Sequence, residues 1–348
     1  MSKITLGIIG GGQLGSMLCM AAKRLNVKTV VISDDVDAPA KNFADKFVFS
    51  SYSDNENIKE FLSQVDRITF EFENIPFKIL SYLNKVKPVN PKPQINKLIQ
   101  DRYLEKNFIN SNNIRTTAYV KILKKVDIEN NRKFLPGILK TRKFGYDGKG
   151  QYKINTLNEL NKLKISFDRK FILEKKVKLK KEISVIITRF SKNEYEIYEP
   201  IENLHREQIL RYSFIPAKIN EDLQLKSQNW AKKIVEKLNY IGTLCVEYFI
   251  DEKNELLVNE IAPRVHNSGH LTINAYNISQ FENHLRAVCE LEKIKLKKIC
   301  NAKMINIIGN EINKYREKKY NKKEFFFDYL KKKVKSKRKM GHLTIIES

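Results

Sequence analysis

Cysteine is rare in this chain. Four residues, Cys19, Cys245, Cys289 and Cys300, are scattered over 348 positions with no CxxC pair among them. That excludes a disulfide framework and a zinc signature. No apolar run reaches the ~18–20 residues that a spanning helix needs. The opening MSKITLGIIGGG lacks the charged head, long apolar centre and cleavage site of a signal peptide, so a cytoplasmic location is expected. Also missing are a GxxxxGK[ST] loop, a Cys or Ser nucleophile constellation, an internal repeat, and any helix-turn-helix, RRM or OB signature.

What is present is a foldable, basic chain. A 42% hydrophobic content suffices for real cores, and the length suits two or three domains. Lys and Arg number 65 against 40 Asp and Glu, a net charge of +25. Residues 291–348 alone carry 18 Lys and Arg against 6 Asp and Glu. Such a balance fits a nucleic-acid surface, but the lysines are mostly dispersed and not interleaved with stacking aromatics. A lysine-rich solvated surface is the better reading, with a positive field that favours anionic small molecules.

The first ninety residues alternate strand and helix, which predicts a doubly wound parallel sheet. The strands are expected at 4–9, 29–32, 47–50 and 67–72, and Ser53 with Glu56 reads as a capping box. Three prolines in KPVNPKP (87–93) mark a boundary. A helix over 95–109 then opens an α+β unit. Its strands are expected at 137–141, 171–174, 182–190, 194–199, 243–250 and 255–260, with an amphipathic helix from 223 to 238. The basic tail shows one clear strand, 304–308, and the closing segment RKMGHLTII. The expected domains are therefore 1–93, 94–290 and 291–348.

Four motifs carry chemistry. Gly10-Gly-Gly-Gln-Leu-Gly15 lies between a strand and a helix, and Asp34 and Asp35 follow about twenty residues on, as in dinucleotide sites. A structural turn or another phosphate would use the same glycines. Lys140 and the run Gly145-Tyr-Asp-Gly-Lys-Gly-Gln151 make a glycine flap beside a cation, suited to covering phosphates. Glu247 and Glu260 sit in apolar strands, where paired carboxylates suit a hard cation bridging nucleotide phosphates. Arg264, His266, Asn267, Ser268 and His270 crowd a cation, two imidazoles, an amide and a hydroxyl into seven residues, which reads as an anion site beside that metal.

In order along residues 4–346, the segments GGGQLG, FEFEN, ILKTRKFGYDGKGQ, CVEYFI, LLVNEIAPRVHNSGHLTINAYNISQFENHLRA and RKMGHL closely resemble the ATP-dependent 5-(carboxyamino)imidazole ribonucleotide synthases. The resemblance implies a Rossmann-like pre-ATP-grasp domain, an ATP-grasp domain and a small C-terminal domain. It implies a carbon–nitrogen ligase using ATP, Mg²⁺ or Mn²⁺ and bicarbonate to carboxylate the amine of 5-aminoimidazole ribonucleotide, and a homodimer. ATP would be held by Arg102, Lys140, Gly145 to Gln151 (with Tyr146, Asp147, Gly148, Lys149 and Gly150), the hinge Glu174, Lys175, Lys176 and Val177, then Glu182, His205, Asn259 and Glu260. Glu247 and Glu260 would bind the metal. Gln13, Leu14, Glu73, Tyr146 and Asp147 would hold the ribonucleotide, with its phosphate on Arg338 and on Lys331 or Lys332. Arg264, His266 and Asn267 would lie at bicarbonate, assisted by Lys149. Ser336 and Lys337 stand where this family carries proline and glycine.

Three other readings compete. A formate-dependent glycinamide ribonucleotide transformylase shares the NEIAPRVHNSGH context, and RKMGH with FEFEN argues against it. A nicotinamide oxidoreductase would leave Glu247, Glu260 and residues 264–270 without roles. A nucleic-acid-binding protein would rest on charge alone.

Overall fold

The computed structural model describes residues 4–143, 145, 150–163 and 165–347. Its N-terminal part alternates β1 (Thr5–Ile9), α1 (Gln13–Arg24), β2 (Lys28–Ser33), β3 (Lys46–Phe49), α2 (Asn55–Ser63), β4 (Arg67–Phe70) and α3 (Phe77–Leu83). The strands pair in parallel in the order β3-β2-β1-β4. The near-continuous burial of β1 and β2 is what a parallel sheet covered on both faces requires. The cap of α2 differs from expectation. Asp54, not Ser53, accepts from the amides of Glu56 and Asn57, because an aspartate oxygen reaches both N–H groups at once.

The expected single helix over 95–109 is two, α4 (Pro93–Ile99) and α5 (Arg102–Ser111). The break has a tertiary cause. Asp101 caps α5 through the amide of Tyr103 and also takes the Arg142 guanidinium, 2.9 Å from Nε and 2.5 Å from Nη2.

A small antiparallel sheet follows, β5-β8-β6-β7, from β5 (Tyr119–Ile122), β6 (Gly137–Thr141), β7 (Gln151–Ile154) and β8 (Phe171–Lys175). Two short helices, α6 (Lys125–Asn130) and α7 (Leu157–Lys162), pack on it. Then come β9 (Leu179–Ser191), β10 (Glu194–Ile197), β11 (Ile201–Arg206), β12 (Ile209–Ile215), α8 (Glu221–Lys237), β13 (Gly242–Asp251) and β14 (Leu256–Ala262). Asn220 caps α8 through the amide of Leu223, and Glu221 and Asp222 face the positive end of its dipole. After α9 (Thr272–Ala275), the helix α10 (Gln280–Val288) starts from a capping box of Ser279 and Glu282.

The tail holds more than the one strand and closing segment expected. β15 (Asn301–Ile308), α11 (Glu311–Glu317), β16 (Glu324–Asp328) and β17 (Lys339–Glu347) continue the long sheet, in the order β14-β13-β9-β11-β12-β15-β17-β16 with β10 beside β9. One core joins α1, α10 and the tail, where Leu14, Met17 and Leu18 pack with Phe281, Leu285 and Tyr329. No described helix is long and apolar enough to cross a membrane.

Candidate functional site

The glycine turn ends β1 and starts α1, but its amides are already taken. The Glu71 carboxylate accepts from Gly12 N–H at 2.9 Å and Gly15 N–H at 3.3 Å. A Cβ on Gly12 would sit 2.9 Å from Glu71 Oε1, so the close approach needs glycine. Burial pushes the Glu71 carboxyl up, opposed by those two amides and by Arg264. An internal carboxyl group thus fills the place at a helix N-terminus where a pyrophosphate would bind. The dinucleotide reading fails at this point.

Beyond the turn opens a cleft of about 1320 Å³, lined among others by Gln13, Leu14, Arg264, Asn267, Lys331 and Arg338. Gln13 is its hub. Its Nε2 donates to Asn267 Oδ1 at 2.6 Å, and its Oε1 accepts from Lys331 Nζ at 2.7 Å. Lys332 instead reaches Asp37 at the exposed rim. Arg264 pairs with Glu73, and this guanidinium keeps Glu73 ionised against the cost of its burial. Arg338, half-buried, donates to the Lys333 carbonyl at 3.2 Å.

A second cavity, of about 380 Å³, adjoins the first; Gln208, Asn267 and Lys339 line both. Its floor is the β13–β14 pair, where Glu247 stands directly opposite Glu260. Glu260 Oε2 lies 2.9 Å from Arg102 Nη1, whose Nη2 donates to the Gly145 carbonyl at 3.1 Å. Glu247 Oε1 lies 2.8 Å from His266 Nε2, and Ser268 Oγ is 2.9 Å from the other ring nitrogen. Burial opposes ionisation of Glu247, but His266, His205 and Arg264 outweigh it and hold the carboxyl well below its usual range. Glu182 meets His205 Nδ1 at 2.6 Å, and Lys140 meets Glu174 at 3.0 Å. Gly150, at φ +72°, packs against Thr141, where a Cβ would meet Oγ1 at 2.5 Å.

Among the described residues no three His, Cys, Asp or Glu gather as a metal cage. Two facing carboxylates nonetheless fit Mg²⁺, which commonly takes one or two carboxylates and completes its shell with water and substrate phosphates. The buried Asn259 Oδ1, without a hydrogen-bond partner, adds a third hard oxygen at this place.

Three family patterns match the chain end to end: a ribonucleotide synthetase preATP-grasp domain over 1–100, an ATP-grasp domain over 107–281, and a phosphoribosylaminoimidazole carboxylase C-terminal domain over 302–348. The N5-carboxyaminoimidazole ribonucleotide synthase of Staphylococcus aureus (strain COL) is 37% identical, covering 98% of this chain and 92% of its own. This chain belongs to the N5-carboxyaminoimidazole ribonucleotide synthase family. The crystal structure of the Staphylococcus aureus synthetase complexed with ADP superposes with a TM-score of 0.92 at 35% identity, covering 99% of this chain and 94% of that one. The Aspergillus clavatus synthase, in complex with ADP and 5-aminoimidazole ribonucleotide, gives 0.90 at 27% identity over 99% and 94%. The chain is accordingly an ATP-dependent ligase-type enzyme with the three-part fold of these synthases.

Within this synthase fold the predicted residues divide. Arg102, Lys140, Gly145, Gln151, Glu182, His205, Glu247, Asn259, Glu260 and His266 line the smaller cavity, and Glu73 and Asn267 join them. Glu174, Lys175, Lys176 and Val177 are not among its lining residues, and the amides of Lys175 and Lys176 bond the carbonyls of Ala118 and Pro136. Tyr146, Asp147, Gly148 and Lys149 lie outside the described residues. His270 is a correction. It is fully buried, stacked on Phe281 and packed beside His342, and burial pushes its pKa far down, so it belongs to the core and not to an anion site. Glu71, Glu105 and Lys106 were missed. The last two follow Arg102 by three and four positions, one helical turn, so the periodicity of a helix offered a signal for them.

Proposed function

We propose that the chain carboxylates the amine of 5-aminoimidazole ribonucleotide, with ATP as the energy source and bicarbonate as the carbon source, in purine biosynthesis. The observation that carries this reading is the meeting of the two cavities at Gln208, Asn267 and Lys339. One cavity has the carboxylates and cations of a nucleotide triphosphate site, and the other is rimmed with cations suited to a phosphorylated substrate.

A bicarbonate oxygen attacks the γ-phosphorus of ATP and ADP leaves, giving carboxyphosphate. Lys140 and Arg102 bind the phosphate oxygens, while Arg264, His266 and Asn267 orient bicarbonate. A divalent cation between Glu247 and Glu260 would neutralise charge on the phosphates. The exocyclic amine then attacks the carboxyl carbon, directly or after its release as CO₂. A nitrogen–carbon bond forms, phosphate departs and the amine loses a proton. Gln13, Leu14 and Glu73 hold the ribonucleotide, Arg338 and Lys331 its phosphate, and Lys149 assists at bicarbonate. The Lys331 choice is supported by its bond to Gln13, since Lys332 turns to Asp37. The chain acts in the cytoplasm as a homodimer, its functional parts being 1–93, 94–290 and 291–348.

The test is phosphate release from ATP with bicarbonate and Mg²⁺, with and without the ribonucleotide. Release that depends on the ribonucleotide is expected. Turnover that responds to formate with glycinamide ribonucleotide, or to NAD, and not to aminoimidazole ribonucleotide, would reject the reading.

A further inference from the structure

The two walls of the smaller cavity belong to different sheets. Lys140 stands on β6 of the small sheet, whereas Asn259 and Glu260 stand on β14 at the end of the long one. Lys106 on α5 spans them, and its side chain is only 1% exposed. An ammonium has three donors and no acceptor. Here it donates to Thr117 Oγ1 at 2.8 Å, Thr116 Oγ1 at 3.0 Å and the Asn259 carbonyl at 3.3 Å.

The same ammonium lies 3.5 Å from Glu174 Oε1 on β8. The other oxygen of that carboxylate accepts from Lys140 Nζ at 3.0 Å and Thr117 Oγ1 at 2.9 Å. Thr116 donates onward to the Val258 carbonyl at 2.6 Å. Lys106 therefore reaches Lys140 through one shared carboxylate and reaches β14 directly. Its neighbours on α5 grip the next two residues of β14, for Arg102 pairs with Glu260 and Glu105 accepts from the amide of Ile261 at 2.6 Å. Burying a charge is costly, and an apolar residue would fill the same volume at lower cost were packing the only need.

We propose that Lys106 is a positioning residue that ties the small sheet to β14, and so sets the distance between Lys140 and Glu260 across the phosphates of bound nucleotide. The proposal rests on the ATP reading above. Lys106 touches no substrate, and its effect runs through the spacing of groups that do.

The experiment uses the full chain. Lys106→Met keeps the stem and removes the donors. The Kd for ADP by calorimetry is expected to weaken ~10–100-fold and KM for ATP to rise in step, while KM for the ribonucleotide stays within about 2-fold. A merely structural role would lower the melting temperature without moving the KM of the folded fraction. Should Lys106→Met fail to fold, Thr117→Val decides. It removes one acceptor of the ammonium and one donor to Glu174, and about a 3–10-fold loss in ADP affinity is expected. Folded Lys106→Met, or Thr117→Val in its place, with wild-type Kd for ADP and wild-type KM for ATP overturns the proposal and leaves the ATP reading standing. A wild-type chain that does not bind ADP at millimolar concentration overturns both.

Discussion

In the smaller cavity Arg102 sits on Glu260, Lys140 on Glu174, His205 on Glu182 and His266 on Glu247, with at least one partner of each pair buried or half-buried. The larger cleft is walled on one side by a segment of another kind. Residues 331–339 carry seven cations, and Lys332 and Lys337 there make only exposed pairs with Asp37 and Glu207. In the first region charge is arranged in advance at low dielectric, so deleting one partner strands the other. In the second region charge is a solvated field that attracts anions, is screened by salt, and fixes little geometry. Position within a paired network should therefore matter more than the number of like charges nearby.

The largest effect expected is for Glu260→Gln. It removes one of two facing carboxylates and the negative charge opposite Arg102, so kcat should fall at least ~10²-fold with the circular dichroism spectrum unchanged. An unchanged kcat with normal Mg²⁺ dependence would make Glu260 a structural ion-pair member and blur the contrast between the two regions.

Arg338 sharpens the comparison from the other side. A guanidinium binds phosphate bidentately, whereas the lysines around it offer charge without that geometry. Arg338→Ala should raise KM for the ribonucleotide ~10–100-fold and leave KM for ATP alone, while Lys335→Ala should change either by less than about 2-fold. Equal effects would mean a diffuse field with no specific contact.

Salt gives a smaller and more general test. Between about 50 and 500 mM monovalent salt the Debye length shrinks roughly 3-fold, so the solvated tail should lose reach before the buried pairs do. KM for the ribonucleotide should rise by a few-fold, and more than KM for ATP. Binding to duplex DNA should be weak and gone at physiological ionic strength, measured by anisotropy.

The smallest effect concerns His205. Burial lowers its pKa, but the Glu182 carboxylate more than offsets this and raises it above the ordinary value. A histidine with a raised folded-state pKa contributes stability below its unfolded value, ~6.5, and loses it as pH rises through the folded value. The difference in melting temperature between wild type and His205→Asn should therefore be larger at pH 6 than at pH 9. A difference that grows with pH would mean that the pair is held by a neutral imidazole.

Much of this was legible in the residues. Glu247 and Glu260 stood out because each interrupts an apolar strand, and the register sets them opposite one another. The Rossmann-like alternation, β6, α8 and the β13–β14 hairpin all emerge near their expected bounds. What misled was local pattern where a distant group decides. Residues 95–109 read as one helix because Asp101 is unremarkable until Arg142 reaches it from the small sheet. His270 read as a site residue because its neighbours are, yet the 3₁₀ turn Asn267–Leu271 points it the other way, toward Phe281 and His342. The tail read as a single strand and a closing segment because its other strands lie among lysines, and only pairing within the long sheet fixes which residues turn inward.

The amino-acid sequence by itself determined the class of the fold, the two strand carboxylates and the identity of the family. The fold class and the carboxylates rest on periodicity and on side-chain types at short spacing, which the local chain carries, and the family rests on the resemblance of its motif segments to those of known synthases. Tertiary structure alone decided that Glu71, 56 residues from Gly15, closes the glycine turn to phosphate, that Gln13 joins Asn267 to Lys331, and that Lys106 joins two sheets. Such contacts depend on where distant segments are brought in three dimensions, and neither periodicity nor composition encodes that meeting.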